Sequence, residues 1–590
     1  MTGDGRSAQL PRNLLLHGRA VDTLPQIQFR AGPVTAVFDP GLGFLRYLRY
    51  GDREILRGLY AAVRDKTWGT VAPRVSNVVT EARADSFRLT FDVDNVEGDI
   101  DFGWRGVITG SAKGTIRFEF NGRARSTFLK NRLGFAVLHP IRECAGRPCT
   151  IEKAGGIKES GTFPDAISPH QPFLDLTAVS HQVVPGVMAE VRFEGDLFEM
   201  EDHRNWTDGN FKTYCTPLAR PYPVELQRGQ EVKQAVTITL TGTGSTPISG
   251  SGPRELLIDA GPSKPLRLRS IGLGYAADQP PLTGAEAARL GVLRPSHLRV
   301  DVTMSDPGWR KALAEASRYA PVEVAVLDGD VREIASQVPT ARIARWLLFD
   351  EKLAAAARPY VRGASLVIGT NKYFAELNRG RPQPLMLDGA CYSINPQVHA
   401  FDNQSLVENL ESQGDTVRTA HRFRAGKPVH VTPVTLRPRF NPPAKDATES
   451  VVPGRLPSRI DARQMSLFGA AWTLGSIKYL AESNAASITY YQTHGWAGVM
   501  ETAAGPPAPG LFPSIPGAVF PLYHILADAA EFSGGFVQPL MSSDPLQTCA
   551  LALESPTKRK RRILIANLTD QPKVIVVNAS WIGPRAHGIA

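Results

Sequence analysis

Between residues 26 and 241 apolar and polar positions alternate in short runs. SFRLTFDVDNVEGDIDFGWRGVITG and GTIRFEFNGRARSTF carry the two-residue period with β-branched and aromatic side chains, and Gly, Asn and Asp punctuate them. No long amphipathic helix interrupts this region, so its half-apolar strands are expected to pair face to face as a β-sandwich. Residues 242–253, GTGSTPISGSGP, cannot build a core and read as a linker, bounded at 242–260. From residue 261 the pattern changes to short apolar runs alternating with helical stretches. Eight candidate strands fall at 266–275, 297–302, 322–328, 345–350, 364–370, 384–394, 428–436 and 486–493. Helical spacing marks DPGWRKALAEASRYA, EKLAAAARPYV and DARQMSLFGAAWTLGSIKYLAES between them. Alternating β and α units call for parallel strands with crossover helices, and eight units suit a (β/α)8 TIM-type barrel. A doubly wound sheet is the alternative arrangement. Strands return in ALALES, RRILIANLT and KVIVVNAS, a segment short enough to borrow core from its neighbours. The expected fold is multidomain α/β plus all-β. It comprises an N-terminal extension (1–25), an N-terminal β-sandwich (26–241), the linker (242–260), a central barrel (261–533) and a small C-terminal β-domain (534–590).

Composition narrows the class. The 590 residues are 42% hydrophobic and 21% charged, as expected of large globular cores. Five cysteines, an odd number at low density, argue against a disulfide framework. No apolar run approaches the roughly 20 residues that span a bilayer, so neither a membrane span nor a secretory segment is expected, and the cytoplasm is the expected compartment. The net charge of +10 is scattered apart from Lys558-Arg559-Lys560-Arg561-Arg562, which lies where a hairpin turn is expected and has no interleaved aromatics. Neither nucleic acid nor membrane is therefore expected as a partner. The oligomeric state is not legible.

Active sites of such barrels lie at the C-terminal ends of the strands. Polar residues there are Asp301, Asp328, Asp350, Glu351, Asn371, Glu376, Asn378, Ser393, Asn395, Gln397, His399, Asp402, Thr432, Gln492, His494 and Glu501. The fifth, sixth and eighth strand ends are richest. SINPQVHAFDN offers His399 as a proton carrier with Asp402 to orient it, beside Asn395 and Gln397; a loop histidine that merely closes the barrel is the plainer alternative. GTNKYFAELNR offers Glu376 as acid or base and Asn371 and Asn378 for substrate hydroxyls, against a capping Asn and an exposed helical Glu. YYQTHGWAGVME offers His494, with Trp496 to stack on a sugar face. The cluster at 200–217, with Asp202, His203, Arg204, Asn205, Trp206 and Asp208, reads more as a hydrogen-bonded interdomain corner than as a ligand loop. G-x-S-x-G, P-loop and H-E-x-x-H patterns are absent, and GLG at 272–274 is too short for a dinucleotide fingerprint. No cofactor is expected and no metal is assigned: His399, Asp402 and His494 could converge on an ion for metal-assisted hydrolysis, but they follow no known ligand spacing.

At EDHRNWTDGNFKTYCTPLA, PYPVEL, GTNKYFAELNRGRP, SINPQVHAFDN, VTPVTLRPRF, GWAGVME and LIANLT the chain resembles the D-apionate lactonases. Those stretches run from about residue 120 to 570. The resemblance implies a β-domain, a TIM-like middle and a C-terminal β-domain, and an enzyme that opens D-apionolactone to D-apionate in apiose breakdown. It supplies no catalytic residues. Lactone opening needs a base for water, donors for the oxyanion and an acid for the leaving alkoxide. Strand-end position assigns Glu376 or His399 as base, Asn371 and Asn395 as donors and His494 as acid, with Asn378, Gln397, Asp402 and Trp496 binding substrate. The rivals are a glycoside hydrolase, which wants two facing carboxylates, and a non-catalytic carbohydrate-binding protein.

Overall fold

The computed structural model describes residues 11–19, 24–242, 244, 255–261, 263–338, 342–361, 363–382, 388–424, 426–440 and 453–578. Most of the expected linker and the start of the expected sixth strand lie outside those residues.

The N-terminal domain is a 17-stranded antiparallel sheet, from Ile27–Ala31 to Glu231–Gly242, curled into a sandwich-like body. Alternation does what the sequence requires. In Phe87–Glu97, Phe87, Leu89, Phe91 and Val93 point inward while their neighbours face outward. They join Phe102, Trp104, Phe118, Phe120 and Phe135 in a core of edge-on and tilted aromatic contacts. The Trp104 indole N–H is satisfied by Asn95 Oδ1 at 3.0 Å.

Eight parallel strands close the barrel: β1 (Ser270–Gly274), β2 (Leu298–Val302), β3 (Val322–Val326), β4 (Ile343–Leu348), β5 (Ser365–Gly369), β6 (Gly389–Ile394), β7 (Val429–Val434) and β8 (Ser487–Gln492). Both faces of such strands are covered, which explains their nearly unbroken burial. The interior is divided. Ala325, Leu347, Val367 and Cys391 fill the β3–β6 half. In a separate polar layer, two residues back along β3 and β4, Glu323 accepts from Arg345 (2.9 Å) and Thr432, while His430 meets Ser487 (2.7 Å) and His297 meets Thr489 (2.8 Å). Space for His297 exists because β1 carries glycine: a Cβ on Gly272 would lie 2.4 Å from that imidazole.

The expected first strand, 266–275, is two strands. Leu266–Arg267 pairs with Phe536–Gln538, and only Ser270–Gly274 enters the barrel. Leu256–Ala260, inside the expected linker, is also a strand. Its Leu256 and Ile258 are buried, and it pairs antiparallel with Leu540–Ser542 and parallel with Ile575–Asn578. The basic run turns Thr548–Glu554 into Arg561–Asn567, with Lys558 at positive φ. Lys560 and Arg562 pair with Glu531. All five cysteines are free and buried, and no helix among the described residues is long and apolar enough to cross a membrane.

The N-terminal domain docks on the segment that follows β6. Arg46, fully buried, reaches Asp402 at 2.9 Å and Glu408 at 3.2 Å, and the Tyr47 hydroxyl donates to Glu408 at 2.7 Å. Removing one partner of a buried ion pair strands the others, at about 3–5 kcal/mol. Arg46→Ala is expected to cost that much in urea unfolding, with a clear fall in Tm.

Two imidazoles sit in the sandwich core. Burial holds the His139 pKa down to about 3 and that of His181 to about 4. His139 bonds Thr213 at 3.0 Å, whereas neither His181 nitrogen has a partner among the described residues. Both pKa values are depressed from about 6.5 in the unfolded chain. Their stabilising contribution is therefore complete above pH 6.5 and is lost as pH falls toward the folded values. At ~1.4 kcal/mol per pH unit, His181 alone withdraws about 2 kcal/mol between pH 6.5 and 5. His181→Leu is expected to flatten the pH dependence of Tm over that interval by the corresponding amount.

Candidate active site

The C-terminal ends of the barrel strands surround a cavity of about 440 Å³. Tyr275 after β1, Asp301 and Thr303 from β2, Asn371 after β5, Arg437 and Arg439 after β7, and Gln492 and Trp496 from the β8 end line it. Its centre is a locked polar network. Arg299, inside the barrel on β2, donates Nε–H to Asp301 Oδ1 (2.7 Å), Nη1–H to the Thr432 carbonyl (2.7 Å) and Nη2–H to Asn371 Oδ1 (2.8 Å). Arg439 donates to Asp301 Oδ2 (2.8 Å) and also to Asn371 Oδ1. Both guanidiniums thus hold the Asn371 carbonyl oxygen, and its amide nitrogen has no acceptor among the described residues.

Electrostatics follow from this packing. Burial pushes the Asp301 carboxyl up, but Arg299 and then Arg439 hold it below the usual carboxylate range. Burial and Arg299 push Arg439 down to about 10, which leaves it protonated at neutral pH. The network therefore presents the fixed Asp301 carboxylate, the Arg299 and Arg439 cations and the Asn371 amide to the cavity. Trp496 is half-buried, with Phe512 edge-on to its ring at 6.4 Å, and presents an apolar wall.

The nine residues singled out from strand-end position are distributed unevenly. Asn371 and Trp496 line the cavity. Gln397 is buried behind it, donating to Asp461 (2.7 Å) and the Leu436 carbonyl (2.6 Å) and accepting from Arg463 (2.6 Å). His494 has both nitrogens engaged, with Thr493 at 2.9 Å and the Pro280 carbonyl at 2.8 Å, and is 1% exposed. Asn378 donates to Asn205 (3.0 Å) and the Ile167 carbonyl (3.1 Å) of the N-terminal domain. Asp402 pairs with Arg46 and caps the helix Asn403–Glu408 through the Ser405 amide at 2.9 Å. Glu376, on the helix Phe374–Gly380, has a raised pKa from burial and one unpartnered carboxylate oxygen. Asn395 is buried, and its side-chain oxygen has no partner among the described residues.

His399 turns toward the N-terminal domain. Its Nδ1 lies 2.8 Å from Asp208, and its ring lies 4.0 Å from His203 and 5.4 Å from Trp206. Arg379, one turn beyond Glu376, stacks on Trp206 at 5.2 Å. Glu376 and His399 therefore lie on the interdomain side of the barrel, whereas His494 faces the β8–β1 side. Burial holds the His399 and His203 pKa values well below 6.5, so both are neutral. Ligand atoms of Glu201, His203 and His399 come within 4.8 Å of one another, which is the spacing of a metal site. The Lys212 ammonium already takes up two of these three, at 2.5 Å from Glu201 and 3.1 Å from His203 Nε2.

Sequence reasoning passed over Arg299, Arg437 and Arg439 as site residues. The signal for the last two was present in TLRPRF, where arginines at alternate positions follow the β7 strand. Arg299 gave none, because a buried arginine inside a strand reads as an anomaly until its partners are known.

Among the described residues, the ends of β4 and β7 supply no facing carboxylate pair of the kind a glycosidase wants. Asp350 after β4 caps its own helix through Lys352 and Leu353 amides, and β7 ends in Thr432–Pro433–Val434 without a carboxylate. Glu501 is buried on Thr502 and Ser514.

Comparison with known proteins agrees with this architecture. Residues 14–243 match the family profile described as D-apionate lactonase, N-terminal domain, and residues 339–534 match D-apionate lactonase, TIM barrel domain. A D-apionate lactonase of Brucella anthropi is 27% identical over 602 aligned positions, covering 95% of this chain and 96% of that protein. Among solved structures, a GH30 endoxylanase from Clostridium papyrosolvens is 10% identical, covering 53% of this chain and 84% of that one, with a TM-score of 0.34. A putative aldose 1-epimerase from Escherichia coli is 10% identical over 37% of this chain and 99% of that one, with a TM-score of 0.26. With both profiles in order and together spanning more than two thirds of its length, the chain belongs to the D-apionate lactonase family.

Proposed function

We propose that this chain is a lactonase that hydrolyses D-apionolactone to D-apionate in apiose breakdown, with the reaction taking place in the barrel mouth. Family membership supports the substrate class. The observation that carries the site is the Asp301–Arg299–Arg439–Asn371 network facing a cavity of about 440 Å³, large enough for a five-membered sugar lactone. The ring lies against Trp496. The lactone carbonyl oxygen is held by the free Asn371 amide and by Arg439, which oppose the negative charge of the tetrahedral intermediate. Asp301, fixed by both arginines, orients the attacking water and takes its proton. Water adds to the carbonyl carbon as Asp301 takes its proton, the ring C–O bond breaks, and Asp301 returns that proton to the departing alkoxide, which leaves as a hydroxyl. The arginine pair then faces the new carboxylate product. His494, Gln397, Asn378 and Asp402 support the walls rather than the reacting atoms. The five buried, unpaired thiols suit a reducing cytoplasm, where we place the reaction.

The test is hydrolysis of D-apionolactone followed by product mass, with variants checked by circular dichroism. Asp301→Asn and Arg439→Ala are each expected to lower kcat/KM by about 10²–10³, the usual worth of a general base or an oxyanion donor. Wild-type turnover in both, together with loss in His399→Ala or Glu376→Gln, would move the chemistry to the interdomain side.

The pH profile gives a separate reading. Because Asp301 titrates below the usual carboxylate range and acts ionised, the acid limb of kcat/KM is expected below about pH 4. A limb above the usual carboxylate range would point to Glu376 instead, whose carboxyl is raised by burial.

A further inference from the structure

The barrel mouth holds a cation that opening a neutral lactone does not use. Arg437 follows β7, two residues before Arg439, and lines the same cavity with its side chain 22% exposed. Its Nε–H donates to Asp461 Oδ2 at 3.3 Å, and neither Nη group has an acceptor among the described residues. The guanidinium lies over the Phe401 ring at 5.2 Å. Asp461 and Phe401 thus hold the base and one face of a planar fork whose two terminal nitrogens are left to the cavity.

The carboxylates that line the cavity are engaged elsewhere. Asp461 is buried and accepts from Arg463 at 2.9 and 2.7 Å and from Gln397 at 2.7 Å, so Arg437 makes the longest of its contacts. Arg437, Arg463 and Asp461 together carry one net positive charge. Asp301 is divided between Arg299 and Arg439. Asp278 meets Arg459 at 3.3 Å, and Asp306 accepts from the Gly308 amide at 2.9 Å.

A guanidinium fork pairs two-to-two with a planar carboxylate or with a phosphate. A phosphate monoester brings nearly two negative charges, more than the one that Arg437, Arg463 and Asp461 leave over, so a carboxylate is the better match. With the lactone carbonyl on Asn371 and Arg439, a carboxylate at Arg437 is a second group on the same molecule. Residues two apart are separated by at most about 7 Å, the reach of a lactone ring with a short side chain. A volume of about 440 Å³ falls among pockets that hold ligands larger than a five-carbon lactone, so such a side chain has room.

We propose that Arg437 binds a carboxylate on the substrate's side chain, so that the barrel mouth also opens lactones of sugar dicarboxylic acids. The inference rests on the lactonase reading of this cavity and adds a substrate class to it. The chemistry is unchanged: water adds to the lactone carbonyl, the ring C–O bond breaks, and an open-chain dicarboxylate and one proton are released.

The experiment follows proton release by the full-length protein on three substrates. They are D-apionolactone, D-glucaro-1,4-lactone and D-glucono-1,4-lactone. The last two differ only at the terminal carbon, a carboxylate in one and a hydroxymethyl in the other. Wild-type kcat/KM is expected to be at least tenfold higher on glucarolactone than on gluconolactone, and Arg437→Met to lower that ratio at least tenfold. Should Arg437→Met fold poorly, Arg437→Lys keeps a cation beside Asp461 without the fork and is still expected to lower the ratio. Turnover of D-apionolactone with none of glucarolactone, or with no preference for it over gluconolactone, overturns the inference and leaves the lactonase reading standing. An unchanged ratio in the foldable Arg437 variants, or a ratio that falls in Arg459→Met instead, also overturns it. Loss of turnover on all three substrates overturns the lactonase reading and this inference together.

Discussion

A buried guanidinium has no water to turn to, and the seam between the β-domain and the barrel is built around that fact. Arg46 is tolerable only because Asp402 and Glu408 come to it from the segment after β6. Once they do, the rest of that segment is committed. Asp402 caps the next helix, Asn409 accepts from the Gly209 amide (3.0 Å), Asn378 is tied to Asn205, and His399 to Asp208. Close backbone approach completes the lock: a Cβ on Gly209 would lie 2.2 Å from the Glu408 carbonyl oxygen. The domains therefore meet through polar groups that satisfy one another across the junction, and the loops after β5 and β6 are held rigid from outside the barrel.

This seam explains which part of the site was legible. Period and length were enough to locate the eight barrel strands, because strand burial on two faces leaves an unmistakable apolar run. The polar loops after those strands were visible too, but not their obligations. His399 and Asp208 are 191 residues apart, and Asn378 and Asn205 are 173 apart. Nothing local distinguishes an amide waiting for substrate from one that fastens a neighbouring domain. Asn371 and Trp496 stayed at the mouth: among the described residues, no hydrogen bond or ring contact ties either of them to the β-domain. The cluster at 202–208 was readable as a corner, since so many short-range hydrogen bonds in seven residues leave few groups free.

The divided barrel interior bears on the same question from beneath. Ala325, Leu347, Val367 and Cys391 tie β3 to β6 by apolar packing, whereas a polar layer joins β3 to β4 through Glu323 and Arg345, β7 to β8 through His430 and Ser487, and the start of β2 to β8 through His297 and Thr489. Arg299 stands on that polar layer and carries the order upward to Asp301 and Asn371. The upper groups inherit their positions from charges several residues down the strands, so their geometry is set before any ligand arrives, which is the condition for electrostatic preorganisation.

The strand Leu256–Ala260 immediately precedes the barrel in the chain, yet its parallel neighbour is Ile575–Asn578, on the far side of the barrel in sequence. During synthesis the earlier strand emerges from the ribosome long before its mate exists. It must wait with open hydrogen-bonding edges while the whole barrel is made. The clasp closes last, so a chain cut short in the final stretch has a complete barrel and a threshold strand paired to Leu540–Ser542 on one edge but open to other chains on the other.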